Sequence, residues 1–188
     1  DAITRHADEL AQILTREQGK PLAKAAGELA GAAKWFTYTA KLEMPVEVAL
    51  DNARVRVEVR RRPHGVVAAI TPWNYPVSLA VWKIAPALAA GNTVVIKPAE
   101  TTSLTAMLFA EILQQAELPA GVVNIVTGPG STGQALVTHD DVNKVAFTGS
   151  TGVGRMIARS VAGTSKKLTL ELGGKAANIV FDDAPMDQ

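Results

Sequence analysis

The sequence predicts an α/β protein with a doubly wound parallel sheet, and three observations carry that prediction. Short apolar runs at 66–70, 93–96, 122–126, 144–147, 168–170 and 178–181 are rich in β-branched residues and lack polar alternation, the mark of strands covered on both faces. Helical stretches at about 77–90, 103–116, 131–138 and 152–162 separate these runs, and βαβα alternation of this kind builds a parallel sheet. The crossovers are short, as right-handed βαβ units are.

Ahead of the sheet, two helical segments at about 3–18 and 21–42 are broken at Gly19, Lys20 and Pro21, with Ile3, Leu10, Ile13 and Leu14 forming the first apolar stripe. Residues 54–60 (RVRVEVR) then alternate charged and apolar, which predicts one strand with a wet face. The arginines at 54, 56, 60, 61 and 62 read either as a nucleic-acid patch or as a charge-guarded edge strand, and the second is favoured.

Composition narrows the function. With 188 residues, 47% of them hydrophobic, the chain can bury a sizeable core and suits one domain with an appendage. Nineteen Lys and Arg against eighteen Asp and Glu leave a net charge of +1, so no electrostatic field calls for nucleic acid. The absence of cysteine rules out disulfides, zinc–cysteine sites and thiol catalysis within these residues, and fits a reducing, cytoplasmic setting. No apolar run reaches the roughly 18–20 residues of a membrane span, and no secretory signal is visible. His6, His64 and His139 show no metal-ligand spacing, and no metal is expected. Both ends read as cut: a helix is already under way at Ala2, and a Pro-marked turn at 182–188 leads toward a further element.

Ligands of doubly wound sheets bind beyond the carboxyl ends of the strands. The segments expected there are TPWNYP (71–76), KPAE (97–100), TGPG (127–130), TGSTGVG (148–154) and ELGG (171–174). Residues 128–133 (GPGSTG) match the G-x-G-x-x-G dinucleotide fingerprint weakly, because Pro129 sits in the turn and the next strand does not end in an acid. The loop at 147–154 is a better anion site, with hydroxyls on Ser150 and Thr151 ahead of a helix, although an ordinary helix cap explains them equally. Lys97 and Glu100 either grip ribose hydroxyls or form a solvated pair. The Asn74 amide reads as an oxyanion donor or as a turn residue. Glu171, among apolar and glycine neighbours, is expected to be partly desolvated and so raised toward the range of a general base. Trp35, Trp73 and Trp82 read as packing residues, and Met107 and Phe109 as core.

Taken together, ITPWNYP (70–76), WKIAPAL (82–88), GNTVVIKPAE (91–100), FTGSTGVG (147–154) and LELGGK (170–175) resemble the NAD(P)-dependent aldehyde dehydrogenase superfamily in order and interval. The resemblance extends upstream through LTREQGKPL (14–22) and covers nearly the whole chain. It implies a Rossmann-like NAD-binding unit over 65–188, preceded by a helical segment over 1–45 and an oligomerisation strand region over 46–64, with the catalytic domain absent. It also implies that Asn74 stabilises the tetrahedral oxyanion and that Glu171 is the base serving the cysteine or the hydrolytic water. Lys97 and Glu100 would hold the adenosine ribose, Ser150 and its neighbours Gly149, Thr151 and Val153 the pyrophosphate, and Gly130 and Ser131 would border the adenine. Ile70, Thr71, Pro72, Trp73, Pro98 and Leu172 complete the expected cofactor contacts, and Tyr75 and Trp82 line the substrate tunnel.

The reading expected from this resemblance is the cofactor-binding fragment of an enzyme that oxidises a small-molecule aldehyde to a carboxylic acid. It would use NAD, with NADP possible, a cysteine nucleophile outside the chain, and a homodimeric or homotetrameric assembly, without nucleic-acid or membrane partners. The fragment alone is expected to be inactive. The alternative is a catalytically inert binding or oligomerisation module on the same scaffold.

Overall fold

The computed structural model describes residues 2–174, 176, 177 and 179–184. Two short-range signals set up the N-terminal hairpin of helices. Helix α1 (Ala2–Arg5) and α2 (Ala7–Gln18) are separated at His6, so the expected first helix is two pieces. Helix α2 ends at Gly19, whose φ of 84° needs no Cβ and whose N–H donates to the Thr15 carbonyl at 2.9 Å. Pro21 then opens α3 (Leu22–Thr39), which buries Ala25, Glu28, Leu29 and Ala32 on one stripe.

Next comes an antiparallel pair, β1 (Glu47–Asp51) and β2 (Arg56–Val59). The single strand expected over 54–60 is therefore one arm of a hairpin. Asn52 makes the turn, its Oδ1 accepting from the amides of Arg54 (2.9 Å) and Val55 (3.0 Å). Both faces of the hairpin are open rather than one, with Val48, Leu50, Val57 and Val59 all exposed.

The main sheet is parallel throughout, in the order β5-β4-β3-β6-β7, from β3 (Val66–Ile70), β4 (Thr93–Lys97), β5 (Val123–Ile125), β6 (Val142–Thr148) and β7 (Lys167–Glu171). Helices α4 (Pro76–Ala89), α5 (Ser103–Gln115), α6 (Gly130–Thr138) and α7 (Thr151–Val161) make the crossovers. The chain winds outward from β3 through β4 to β5, then returns to the other side of β3 with β6. The order thus reverses between β3 and β6, which is where such sheets open a ligand crevice.

Strand residues alternate between two cores. Val67, Ala69, Val94, Ile96 and Ala146 face α2–α5, while Ala68, Val145 and Phe147 face Val137 of α6 and Ile157 and Val161 of α7. Leu10, Leu14, Leu29 and Ile84 are completely buried, each stabilising the fold by roughly 1.5–3 kcal/mol. On α5, Thr105, Phe109 and Ile112 turn inward, which leaves Met107 on the far side, 48% exposed, instead of in the core. Leu168 and Leu170 of β7 join the second core. No strand forms at 179–181, and Asn178, the start of that expected strand, lies outside the described residues, as do Lys175 and the turn residues at 185–188. No helix among the described residues is long and apolar enough to cross a membrane.

Candidate functional site

The reversal of strand order produces a cleft of about 540 Å³ at the carboxyl ends of β3, β4 and β6. In-register pairing of Ile70 with Lys97 and with Phe147 brings the three strand ends level. Ile70 at the end of β3 and Thr71, Pro72 and Trp73 just after it line the cleft, with Lys97 at the end of β4 and Glu100 in the turn that follows. Gly130 and Ser131 line it from the start of α6, and Gly149, Ser150 and Val153 from the loop into α7. Three other expected cofactor residues lie beside the cleft. Pro98 lines a small apolar hollow with Thr71 and Phe109, Thr151 is the first residue of α7, and Leu172 packs against Gly154.

Lys97 is 4% exposed, and its Nζ donates to Glu100 Oε1 at 2.9 Å. The ammonium holds the Glu100 carboxyl below its ordinary range, helped by a backbone hydrogen bond. The pair is therefore neither simply solvated nor buried: its cation is enclosed, and its carboxylate side chain stands 56% exposed on the cleft wall.

At the β6 end, Ser150 is the N-cap of α7, with Oγ accepting from the Val153 amide at 3.4 Å. The cap reading is thus realised, and Ser150 also lines the cleft. Around the capped Val153 amide, the α7 N-terminus directs its first-turn N–H groups there, as any helix start does. A Cβ on Gly149 would stand 2.5 Å from the Phe147 ring, so only glycine keeps this wall as it is. The Gly149 amide donates to the Glu171 carbonyl at 3.0 Å, tying the loop to the end of β7.

A second cavity, of about 670 Å³, lies on the other face, where β6 and β7 run beyond α4. Trp82, Lys83, Lys144, Thr148, Thr169 and Glu171 are on its walls, along with Trp35 and His64. Trp35 and Trp82 meet in a tilted contact, 5.7 Å between ring centroids and 45° between planes, and Trp82 is 52% exposed, a cavity wall more than a packing residue. Trp73, 58% exposed on the cleft, departs from the packing reading in the same way. Glu171 also departs from expectation, because it is exposed. Strand β7 is the sheet edge, so Leu168 and Leu170 fill the second core while Thr169 and Glu171 face the open cavity.

Two lysines escaped the sequence reading. Lys83 Nζ donates to Thr148 Oγ1 at 2.6 Å, and burial pushes it down to about 8, opposed by the negative charge of Glu171. Lys144 Nζ donates to Thr169 Oγ1 at 2.7 Å and is also lowered by burial. The signal for Lys83 was available: it is the one charged residue in the apolar run of α4.

Asn74 and Tyr75 line neither cavity. Asn74 is exposed, and its Oδ1 accepts from the Tyr75 amide at 3.1 Å. Tyr75 is 52% exposed with Lys20 Nζ 3.8 Å from its ring centroid, so the described residues do not bring Tyr75 and Trp82 into one tunnel.

Residues 1–188 match the family model described as the aldehyde dehydrogenase family. Among curated relatives, phenylacetaldehyde dehydrogenase of Pseudomonas fluorescens is 49% identical over 97% of this chain and 38% of its own length. The mitochondrial succinate-semialdehyde dehydrogenase of Arabidopsis thaliana is 47% identical, over 100% of this chain and 36% of its own. The crystal structure of an Escherichia coli NADP-dependent enzyme superposes with a TM-score of 0.88 at 46% identity, over 98% of this chain and 39% of that one. The chain thus spans less than two-fifths of the length of these relatives.

Proposed function

Because the chain belongs to the aldehyde dehydrogenase family, we propose that it is the cofactor-binding portion of an enzyme that oxidises an aldehyde to a carboxylic acid with NAD⁺ or NADP⁺. The cysteine nucleophile is supplied from outside these residues. The observation that carries this reading is the cleft at the strand-order reversal, with an ionised carboxylate beside Lys97 at one end and the α7 N-terminus at the other.

The donor set fits a dinucleotide. Glu100 would offer acceptor oxygens to ribose hydroxyls, and its negative charge would disfavour a 2′-phosphate, favouring NAD⁺ over NADP⁺. The α7 amides suit a pyrophosphate. Since Ser150 Oγ is occupied as an acceptor by the Val153 amide, its own proton is free to donate. Gly149 keeps side-chain bulk out of the path. A dinucleotide held by these residues would supply the acceptor for the hydride that leaves the aldehyde carbon.

This chain's residues act around that transfer. Asn74, whose Oδ1 is held by the Tyr75 amide, donates through Nδ2 to the oxyanion that forms when the thiolate adds to the carbonyl. Glu171 takes the proton from the thiol or from the water that hydrolyses the thioester, so acyl transfer ends in a free acid rather than on coenzyme A. Trp82 gives the substrate an apolar wall. The exposed β1–β2 hairpin pairs with other copies to form a dimer or tetramer.

Two assays test this. The purified 188-residue chain, mixed with NAD⁺ and phenylacetaldehyde or succinate semialdehyde, is expected to form no NADH by absorbance; turnover at an ordinary rate overturns the mechanism. In the longer protein read in frame beyond Gln188, Glu171→Gln is expected to lower steady-state turnover by about 10²–10⁴-fold; a retained single-turnover burst of NADH assigns Glu171 to the hydrolytic water, and a lost burst assigns it to the thiol.

A further inference from the structure

We propose that Lys20 and Glu28, together with Gln18, are positioning residues that set the direction of the Asn74 amide; the inference rests on the oxyanion role just assigned to Asn74. The loop bearing Asn74 precedes α4, whose N-cap, Tyr75, makes no side-chain cap of its own. Glu28 of α3 replaces that cap. Its Oε1 accepts from the amides of Val77 (2.9 Å) and Ser78 (3.0 Å), both in the first turn of α4. The carboxylate side chain is fully buried, so it needs a compensating charge, and Lys20, itself 9% exposed, is ion-paired to Oε2.

Lys20 does more than neutralise Glu28. The same Nζ donates to the backbone carbonyl of Asn74 at 2.6 Å and sits over the face of Tyr75. Gln18 adds a second grip, its Nε2 donating to the carbonyls of Trp73 (3.0 Å) and Asn74 (3.3 Å). Both residues flank the α2–α3 turn, where Gly19 is left-handed and Pro21 is fixed in φ. Little freedom remains in the backbone that carries Lys20. The peptide on each side of the Asn74 side chain is thereby held from a segment more than fifty residues upstream.

A pillar that merely stabilised the fold would lower turnover independently of Asn74, whereas a positioning pair acts only through it. In the full-length enzyme, Lys20→Met is expected to lower kcat by about tenfold or more while changing the NAD⁺ Kd and aldehyde KM less than about threefold. In an Asn74→Ala background the same substitution should cost less than about twofold. Equal losses in both backgrounds, or no loss, overturn the proposal. If Asn74→Ala itself leaves kcat unchanged, the oxyanion reading falls instead.

The clamp has a readout that does not depend on activity. Hydrogen exchange of the Tyr75 amide, the donor to Asn74 Oδ1, should quicken by about tenfold or more in Lys20→Met. Unchanged exchange removes the clamp. Gln18→Leu leaves Glu28 its buried partner and so avoids the unpaired charge. It should shift kcat and exchange in the same direction by smaller factors, and no shift in either quantity again overturns the proposal.

Discussion

Lys83 Nζ donates to the Thr148 hydroxyl at 2.6 Å, and Thr148 lines both the cleft at the strand-order reversal and the larger cavity on the opposite face. One ammonium therefore stands at the partition between the space assigned to the cofactor and the space that holds Glu171. Its position costs stability, since burial has lowered its proton affinity to about 8.

The sign of the resulting pH dependence follows from linkage. In the unfolded chain a lysine titrates near 10.4, about its ordinary value, so between about pH 8 and 10.4 the unfolded state binds more protons. Stability from this group therefore rises with pH across that window, and below about pH 8 the burial cost is constant. Lys83→Met is expected to be more stable than the parent at pH 7, with the gap narrowing from pH 8 to 10. Urea titrations at several pH values measure it, and a gap that widens with pH refutes it.

Gly154 of α7 gives a steric test. A Cβ built there would stand 2.3 Å from Leu172 Cδ2 and 2.8 Å from Cδ1. Gly154→Ala is expected to cost about 1–3 kcal/mol by overpacking. In a Leu172→Ala background the clash is gone, and the better helix propensity of Ala should leave the substitution neutral or stabilising by up to about 1 kcal/mol. Denaturant unfolding of the four proteins closes the cycle. A cost that survives removal of Leu172 would place the strain elsewhere.

The sheet was legible because β-branched runs buried on both faces have few other ways to fold, and the strand ends then placed Ile70, Lys97, Phe147 and Gly149 on one edge. The first arm of the hairpin was missed because Glu47–Asp51 sets three apolar residues between two acids instead of alternating as 54–60 does, so only Asn52 marks the turn between them. Exposure of Glu171 was not legible, because apolar neighbours in sequence alternate sides in a strand and Leu170 and Leu172 pack away from the cavity. The Lys20–Glu28 pair was invisible for a related reason. Eight residues apart, across a turn and a helix start, the two charges read as a solvated face until packing against α4 buries them.

Glu100 should decide between the two dinucleotides. Its carboxyl is held below the ordinary range by Lys97, so it stays charged at any neutral pH. Glu100→Gln keeps an acceptor for the Lys97 ammonium but removes the charge proposed to repel a 2′-phosphate. In the full-length enzyme the ratio of kcat/KM for NADP⁺ to that for NAD⁺ is expected to rise by about tenfold or more, about 1.4 kcal/mol. An unchanged ratio would move the ribose away from this pair.

The β1–β2 hairpin should carry assembly. A two-stranded ribbon is marginal alone, and its ion pairs, Arg56 with Asp51 and Glu58 and Arg60 with Glu58, lie at the surface, where such pairs add little. Yet it presents Val48 at 44%, Leu50 at 48%, Val57 at 42% and Val59 at 45% exposure, with backbone edges open to strand addition. Paired with a second copy, those side chains leave water and the edges gain partners. Val48→Asp with Val57→Asp is therefore expected to shift the full-length protein to a smaller species by sedimentation. The unfolding free energy of the 188-residue chain should change by less than about 0.5 kcal/mol, as for other surface substitutions. Unchanged sedimentation would assign assembly to another surface, and a large loss of stability in the isolated chain would make the hairpin part of its own core.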